Sequence, residues 1–251
     1  MKIVCDTHVH CYQFEQLAAL LDAATKNLSR QPDSDAKLLF FTDGAKDPTW
    51  EILLPRVKAG GCIVGEWRLN LHIDRSLIKA HKGELTIYLA PAKQINSAQK
   101  IEFLLLGCSE KIDEGMVEST ILDKFSDRYA VICPWGVGKW LGSRGATMSE
   151  LINQHASQFL LGDNGGRPKI WSKVRHFEQH PSSLINGSDP LPLSGEIDRV
   201  GRFGICFDIE GDQLTLDSVL QAIRASNHHN FGDSMGLFQF FKLQLGLRVS
   251  S

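Results

Sequence analysis

The chain opens with Lys2-Ile3-Val4-Cys5-Asp6-Thr7-His8-Val9-His10, a short apolar segment that runs directly into Asp-x-His-x-His. The apolar residues 3–5 are typical of a buried β-strand, and alternate side chains of a strand point to the same face. Asp6, His8 and His10 are therefore predicted to leave the strand end together, within reach of one cation. The alternative is a pair of histidines whose hydrogen bonds are satisfied in the core or at the surface.

The composition is that of an ordinary globular protein. The 251 residues are 43% hydrophobic and 22% charged, with a formal net charge of -2. No apolar run is long enough to span a membrane and the N-terminus lacks a signal peptide, so we expect a cytoplasmic protein without a membrane partner. The near-neutral charge and the lack of a basic stripe argue against a nucleic-acid surface. Six cysteines without a Cys-x-x-Cys pair predict reduced, buried thiols.

Strand-like apolar runs alternate with helical patterns along much of the chain. This alternation predicts an α/β protein, a distorted TIM-like β/α barrel with about seven to eight mostly parallel strands, and a single domain over residues 1–251. Residues 84–90 and 101–107 are predicted to form a hairpin, which makes the barrel irregular. The predicted strands are 2–5, 37–42, 62–66, 84–90, 101–107, 130–134, 158–162, 183–188 and 203–207. The predicted helices are 15–28, 114–126, 147–156, 215–226 and 233–245, the last two forming a C-terminal segment, 215–245, packed on the barrel.

Polar, Gly-rich sequences follow most of the predicted strands, where barrel enzymes collect their chemistry. Glu66 ends the third strand and Glu102 opens the fifth, so both are candidates to complete a metal's ligands or to act as a base. Lys139 and Arg167 lie in Gly-rich segments after two later strands, where each is predicted to bind an anion. Asp189 follows another strand. The alternatives are tight turns for the glycines and ordinary ion pairs for the charged side chains.

Three of these segments resemble the motifs of the polymerase and histidinol phosphatase (PHP) superfamily. Residues 6–10 are similar to its first motif, Asp-x-His-x-His, and Phe41-Thr42-Asp43-Gly44 to its second, Thr-Asp-His. Asn186-Gly187-Ser188-Asp189-Pro190-Leu191 resembles its last motif, Gly-Ser-Asp-Ala-His. The resemblance covers residues 1 to about 205 and implies a distorted barrel that binds a cluster of divalent metals and hydrolyses phosphate esters.

The chain departs from this pattern at several metal-ligand positions. Gly44 and Leu191 stand where the second and last motifs have histidines, and Gln94 is the nearest match to the third motif's glutamate. Neither glycine nor leucine has a side chain that can bind a metal. We therefore predict a divergent member of the superfamily that has lost several ligands.

The remaining ligand set is His8, His10 and Asp189, with Asp6 either behind an imidazole or in contact with the metal. Two imidazoles and one carboxylate match an open, catalytic type of metal site, with Zn, Mn or Mg as the divalent ion. Such an ion would lower the pKa of its water from 15.7 to about 7.

Three functions remain open. The first is a PHP-like metal-dependent phosphoesterase acting on a small phosphorylated or otherwise anionic substrate, with Lys139 or Arg167 gripping the anion. The second is a PHP-like barrel that has lost catalysis and serves as a binding or regulatory module. The third is a metal hydrolase of the amidohydrolase or TatD-like type, which also begins with Asp-Thr-His-x-His.

Overall fold

The computed structural model describes residues 1–31, 34–44, 47–136, 138–168, 174–193 and 195–236. Its strands are β1 (Lys2–Val9), β2 (Ala36–Asp43), β3 (Cys62–Val64), β4 (Trp67–Leu71), β5 (Ile78–Lys82), β6 (Leu85–Asn96), β7 (Glu102–Leu106), β8 (Ala130–Pro134), β9 (Leu160–Asp163), β10 (Leu184–Asn186), β11 (Gly204–Asp208) and β12 (His228–Phe231). Its α-helices are α1 (Leu17–Leu28), α2 (Thr49–Lys58), α3 (Glu118–Phe125), α4 (Gly142–His155), α5 (Arg175–Gln179) and α6 (Leu216–Arg224).

The strands form one mixed sheet that curves into a nearly closed barrel, which confirms the predicted fold class. The order around the barrel is β10-β9-β8-β7-β6-β2-β1-β11, with β12 beside β11. Strands β1, β2, β6, β8, β9 and β10 run in the same direction, whereas β7 and β11 run against them. Side chains help to join the two ends of the sheet, because Thr7 Oγ1 donates to Asn186 O at 2.8 Å and Asn186 Nδ2 donates to Phe231 O at 3.0 Å.

The middle of the chain explains why the barrel is irregular. Strands β6 and β7 form an antiparallel hairpin as predicted, but residues 92–96 of β6 pair with β7, whereas residues 85–89, within the predicted strand 84–90, pair with β5. Strands β3, β4 and β5 form an antiparallel meander that extends from β6 outside the barrel, and β4 and β5 were not predicted. Helix α2, which contains Pro55, was also missed. The prediction that a helix starts at Thr147 is wrong, since α4 begins five residues earlier and the Thr147 hydroxyl donates within it to Ser143 O.

Apolar side chains fill the barrel and cover its outside in separate layers. The interior holds Ile3 and Cys5 of β1 with residues of β2, β6 to β11 and α6, so α6 plugs one end of the barrel. Val4 and Val9 of β1 face outward against α1 and α2. Because both faces of these strands are buried, the segments are apolar throughout rather than alternating. The predicted helix 233–245 lies mostly outside the described residues, and the single domain over 1–251 stays a prediction.

A β-bulge at the end of β1 changes which side chains face the barrel interior. Asp6 pairs with Leu39 and Val9 pairs with Phe41, so β1 has one more residue than β2 between these two points. The strict alternation predicted for the first motif is therefore wrong. Side chains before the bulge keep the parity of β1, and those beyond it are shifted by one position.

Asp6 lies before the bulge, and its buried carboxylate accepts backbone hydrogen bonds from three separate segments. The donors are Ser188 N and Gly201 N, each at 2.8 Å, and His8 N at 3.3 Å. Burial raises the pKa of Asp6 to about 6, and the hydrogen bonds oppose that rise. Asp6 thus ties β1 to the chain that follows β10, which holds the barrel closed.

In the described residues, no helix is both long and apolar enough to cross a membrane.

Replacing Asp6 by Asn should destabilise the barrel. The amide Nδ2 would face the Gly201 N–H, leaving two buried donors opposed, at a cost of about 1–3 kcal/mol. Urea unfolding would measure the loss, with Asp35→Asn as control, since Asp35 is exposed and accepts one bond from Lys2 N at the other end of β1. Equal free energies of unfolding for the two variants would contradict this role.

Candidate metal centre

Three buried side chains at the end of β1 and beyond β10 bring their donor atoms together. His8 Nε2 lies 2.9 Å from His10 Nε2, and Asp189 Oδ1 lies 3.6 Å from the first and 3.8 Å from the second. One ligand atom from each residue lies within 4.8 Å of the other two. The structure therefore brings together the two histidines and the distant aspartate that the sequence analysis combined.

Asp189 reaches His8 because the chain after β10 packs directly against β1. A Cβ on Gly187 would lie 2.7 Å from His8 Cβ and 2.8 Å from His8 N, so only glycine allows this approach. Asp189 N then donates to His8 O at 2.8 Å, and Asn164 Nδ2 donates to Asp189 Oδ2 at 3.0 Å. The backbone of Asp189 has φ +42°, a conformation that residues other than glycine rarely adopt. Such backbone conformations are often found at functional sites.

The orientation of the His10 ring is fixed from behind by Asp47. The buried Asp47 carboxylate hydrogen-bonds to His10 Nδ1 and also accepts from Gly44 N at 3.1 Å. Because a carboxylate only accepts, His10 Nδ1 carries a hydrogen, and in the neutral ring Nε2 presents a lone pair towards His8 and Asp189. A carboxylate behind a histidine in this way is a regular feature of metal sites.

The charges of these groups suit a cation. Burial lowers the pKa of His8 to about 3, so its ring is neutral, and Gln94 hydrogen-bonds to it. Burial also lowers the pKa of His10, but the Asp47 bond and the Asp189 charge outweigh it and leave the pKa raised. Burial raises the pKa of Asp189, but His8 and Lys139 lower it well below its ordinary value, so Asp189 is ionised.

The donor set fits a divalent metal. With neutral rings, two nitrogen lone pairs and a carboxylate oxygen face one another within 4.8 Å, an arrangement that is repulsive unless a proton or a cation lies among them. Two imidazoles and one carboxylate are ligands that Zn and Mn accept, and three protein ligands leave an open position. The site can therefore hold one cation and expose it to a substrate.

Three further candidates do not join this donor set. Glu66 is an exposed side chain that pairs with Lys82 at 2.8 Å outside the barrel, so its assignment as a ligand is wrong. The Asp6 carboxylate accepts from the backbone N–H groups of His8, Ser188 and Gly201, and in the described residues it is not one of the three convergent ligands. Both oxygens of Glu102 accept from Lys139 Nζ, at 2.8 and 2.9 Å, instead of facing the cluster.

The predicted anion-binding residues are already paired with carboxylates. Lys139 lies beside the cluster, where its charge influences His8 and Asp189, but its ammonium is held by Glu102. Arg167 donates to Asp163 Oδ2 at 3.3 Å. These pairs place positive groups at the rim of the barrel, and their role toward an anion stays a prediction.

Two residues of the site were missed by sequence reasoning. Asp47 belongs to the loop after β2, where its spacing from any motif residue carries no signal. Tyr12 stacks on the His10 ring, with ring centroids 5.4 Å apart and planes at 22°. Only its position two residues after His10 could have drawn attention to it. Asp43, in the segment that resembles the second motif, accepts from Trp50 N and Glu51 N and so caps α2.

No protein-family model and no curated protein sequence matches the chain. Its structure is similar to that of PsfC from Pseudomonas syringae PB-5123, with a TM-score of 0.58, 12% identity and coverage of 99% of this chain and 97% of that one. It is also similar to the lesion-specific endonuclease PfuEndoQ from Pyrococcus furiosus, with a TM-score of 0.51 and 11% identity. That likeness covers 90% of this chain and 56% of the endonuclease, just over half of its length.

A third similar structure is a complex of Endonuclease Q with a 27-mer duplex substrate that has an abasic lesion at the active site. Its TM-score is 0.50 at 11% identity, covering 97% of this chain and 67% of that one. Together these likenesses show that the chain has a PHP-like fold, while its place as a divergent member of the superfamily stays a prediction. The expectation of a small anionic substrate and no nucleic-acid surface is wrong by this comparison, because two of these structures are endonucleases.

Replacing Asp47 by Asn should weaken metal binding by about 10–100-fold, because the His10 ring loses the carboxylate that fixes its tautomer and orientation. Competition with a fluorescent chelator for Mn²⁺ or Zn²⁺ would measure the affinity. The matched control is Asp43→Ala at the end of β2, four residues before Asp47, which should lower the free energy of unfolding by about 1–2 kcal/mol through loss of the α2 cap while leaving the affinity unchanged. An Asp47→Asn protein that binds metal like the wild type would contradict this function of Asp47.

Proposed function

We propose that the chain is a metal-dependent hydrolase of the PHP type that cleaves phosphodiester bonds in nucleic acid. The observation that carries this proposal is the convergence of His8 Nε2, His10 Nε2 and Asp189 Oδ1 at the rim of a PHP-like barrel. A divalent ion held there would polarise a phosphoryl oxygen and lower the pKa of water, which is the chemistry that phosphodiester hydrolysis requires.

The protein groups around the ion would bind and orient the substrate. Asp47 holds the His10 ring in place, and Asn164 donates to the Asp189 carboxylate. Lys139 carries a positive charge beside the cluster, where it would attract a phosphate and stabilise negative charge that develops on its oxygens. These groups are held by hydrogen bonds before any substrate arrives, so little rearrangement is needed during reaction.

Nucleic acid is favoured as the substrate class by the two endonuclease structures with a similar fold. The formal net charge of -2 means that general attraction to a polyanion is weak. Contact with phosphates would instead depend on cations fixed at the rim, where Lys139 is paired with Glu102 and Arg167 with Asp163. We therefore expect recognition of a short stretch or a single distorted position rather than a long tract.

A binding module without catalysis is the alternative function, and the missing ligands favour it. Gly44 and Leu191 have no side chain that can bind a metal, and Gln94 hydrogen-bonds to His8. Such a module would bind the metal and the nucleic acid but would leave the phosphodiester bonds intact.

The test is cleavage of end-labelled duplexes by metal-loaded protein. We expect Mn²⁺-loaded protein to cut a 27-mer duplex, either intact or with one abasic position, and the His8→Ala variant to cut it at least about 100-fold more slowly, since a metal ligand is lost. His229→Ala is the matched control, because His229 is exposed on β12, and its rate should equal that of the wild type.

The same preparation separates the alternatives. Tight binding of the duplex, measured by fluorescence anisotropy, with no cleavage in Mn²⁺, Zn²⁺ or Mg²⁺ would favour the binding module. Hydrolysis of p-nitrophenyl phosphate with no cleavage or binding of nucleic acid would contradict the proposed substrate class.

A further inference from the structure

The pair formed by Lys139 and Glu102 lies at the rim of the barrel because of how β7 and β8 are arranged. Glu102 begins β7, and the loop that carries Lys139 follows β8, which runs antiparallel beside β7. The start of one strand and the end of the other therefore meet at the same rim. Lys139 Nζ binds both Glu102 oxygens, at 2.8 and 2.9 Å, and the Glu102 side chain is only 13% exposed.

The loop after β8 is shaped to direct Lys139 towards Glu102. Lys139 N donates to Gly136 O at 2.9 Å, and the lysine stem then lies across Gly136. A Cβ at residue 136 would lie 2.7 Å from Lys139 Cδ and 3.0 Å from Cε, so glycine leaves the room that the stem occupies. Arg144 Nη2 also donates to Gly138 O in this loop, at 2.8 Å.

The pair lies near the candidate metal centre. Leu104, two residues after Glu102 on β7, and Pro134, which ends β8 before the Lys139 loop, line one cavity with His8. The ammonium of Lys139 lowers the pKa of Asp189 and that of His8, after the larger effects of burial and of the groups nearer to them. Glu102 contributes to the raised pKa of His10, after burial, Asp47 and Asp189. The pair is therefore within electrostatic range of the candidate metal centre without supplying a ligand to it.

Both the number of convergent ligand residues and the net charge of the groups at the candidate metal centre favour one divalent cation. Only His8, His10 and Asp189 form a group of three or more convergent ligands in the described residues. Outside those ranges the sequence contains no His, Cys, Asp or Glu apart from Asp33. The carboxylates of Asp47 and Asp189 are buried, and that of Glu102 is 13% exposed. These three carboxylates oppose one ammonium, so two negative charges remain, and one divalent ion neutralises them.

We propose that the site binds a single divalent cation and that the Lys139 ammonium, fixed by Glu102, is the built-in second positive charge of the site. This inference rests on the proposed metal-dependent function and specifies its charge arrangement. A second divalent ion would face the ammonium and would leave two positive charges without counter-charge, which is costly in a buried site. The ammonium would instead supply the second electrostatic contact to a phosphate without the need for a second metal.

The test is the stoichiometry and affinity of Mn²⁺ binding in variants of the pair. Metal-stripped wild-type protein, titrated calorimetrically, should bind one Mn²⁺, and its electron paramagnetic resonance spectrum should show isolated ions without coupling between neighbours. Lys139→Met removes the positive charge and should tighten Mn²⁺ binding by about 10-fold or more, whereas Glu102→Gln leaves the ammonium without its partner and should weaken binding by a similar factor.

The two variants are expected to change Mn²⁺ affinity in opposite directions. Structural damage alone would weaken Mn²⁺ binding in both, so the two explanations can be told apart. Lys93→Met is the matched control, because the partly buried Lys93 pairs with the exposed Glu51 at 3.1 Å, and it should leave Mn²⁺ affinity unchanged. Weaker or unchanged binding in Lys139→Met would overturn the inference. Two or more coupled ions in the wild type would also overturn it.

These outcomes are distinct from those that bear on the proposed function. Two coupled Mn²⁺ ions together with duplex cleavage would reject the single-cation inference and keep the hydrolase. One Mn²⁺ with the predicted opposite shifts but no cleavage would keep the inference and reject the hydrolase. No Mn²⁺ bound by the wild type would reject both.

Discussion

The bulge at the end of β1 is the constraint on which the candidate site depends. Between Asp6 and Val9 the strand gains one residue relative to β2, so the parity of its side chains changes there. Asp6 then binds the backbone at Ser188 and Gly201, while the imidazole of His8 meets Asp189. A regular strand would point all three motif side chains to one face, and the barrel would lose either its closing bonds or its metal ligands.

The contacts that close the barrel therefore also assemble the site. The chain after β10 approaches β1 so closely that Gly187 contacts the His8 backbone, and this contact carries Asp189 to the two histidines. The approach leaves donor atoms crowded and buried around a negatively charged centre. A folded barrel thus favours a cation at this position, and its binding energy would in turn stabilise the closed form.

The sequence predicts the barrel and the core of the site but not the surroundings of each side chain. The motifs indicate that Asp189 meets the N-terminal histidines, because both follow strands at the same rim. Asp6 is placed wrongly, since a one-residue bulge has no signature in the sequence. Asp47 is missed, because its contact depends on how the loop after β2 folds back onto β1. Glu66 is wrongly predicted to be a metal ligand, because β3, which it follows, belongs to a meander outside the barrel. A short apolar run in the sequence does not indicate which part of a sheet its strand will join.

The convergence of two imidazoles and one distant carboxylate on a cation is the central claim, and anomalous X-ray scattering tests it most directly. Crystals soaked in Zn²⁺ or Mn²⁺ and measured at the metal's absorption edge should give one strong peak, about 2.0–2.2 Å from His8 Nε2, His10 Nε2 and an Asp189 oxygen. A map with no peak among these atoms, or with its peaks only at other residues, would contradict the account.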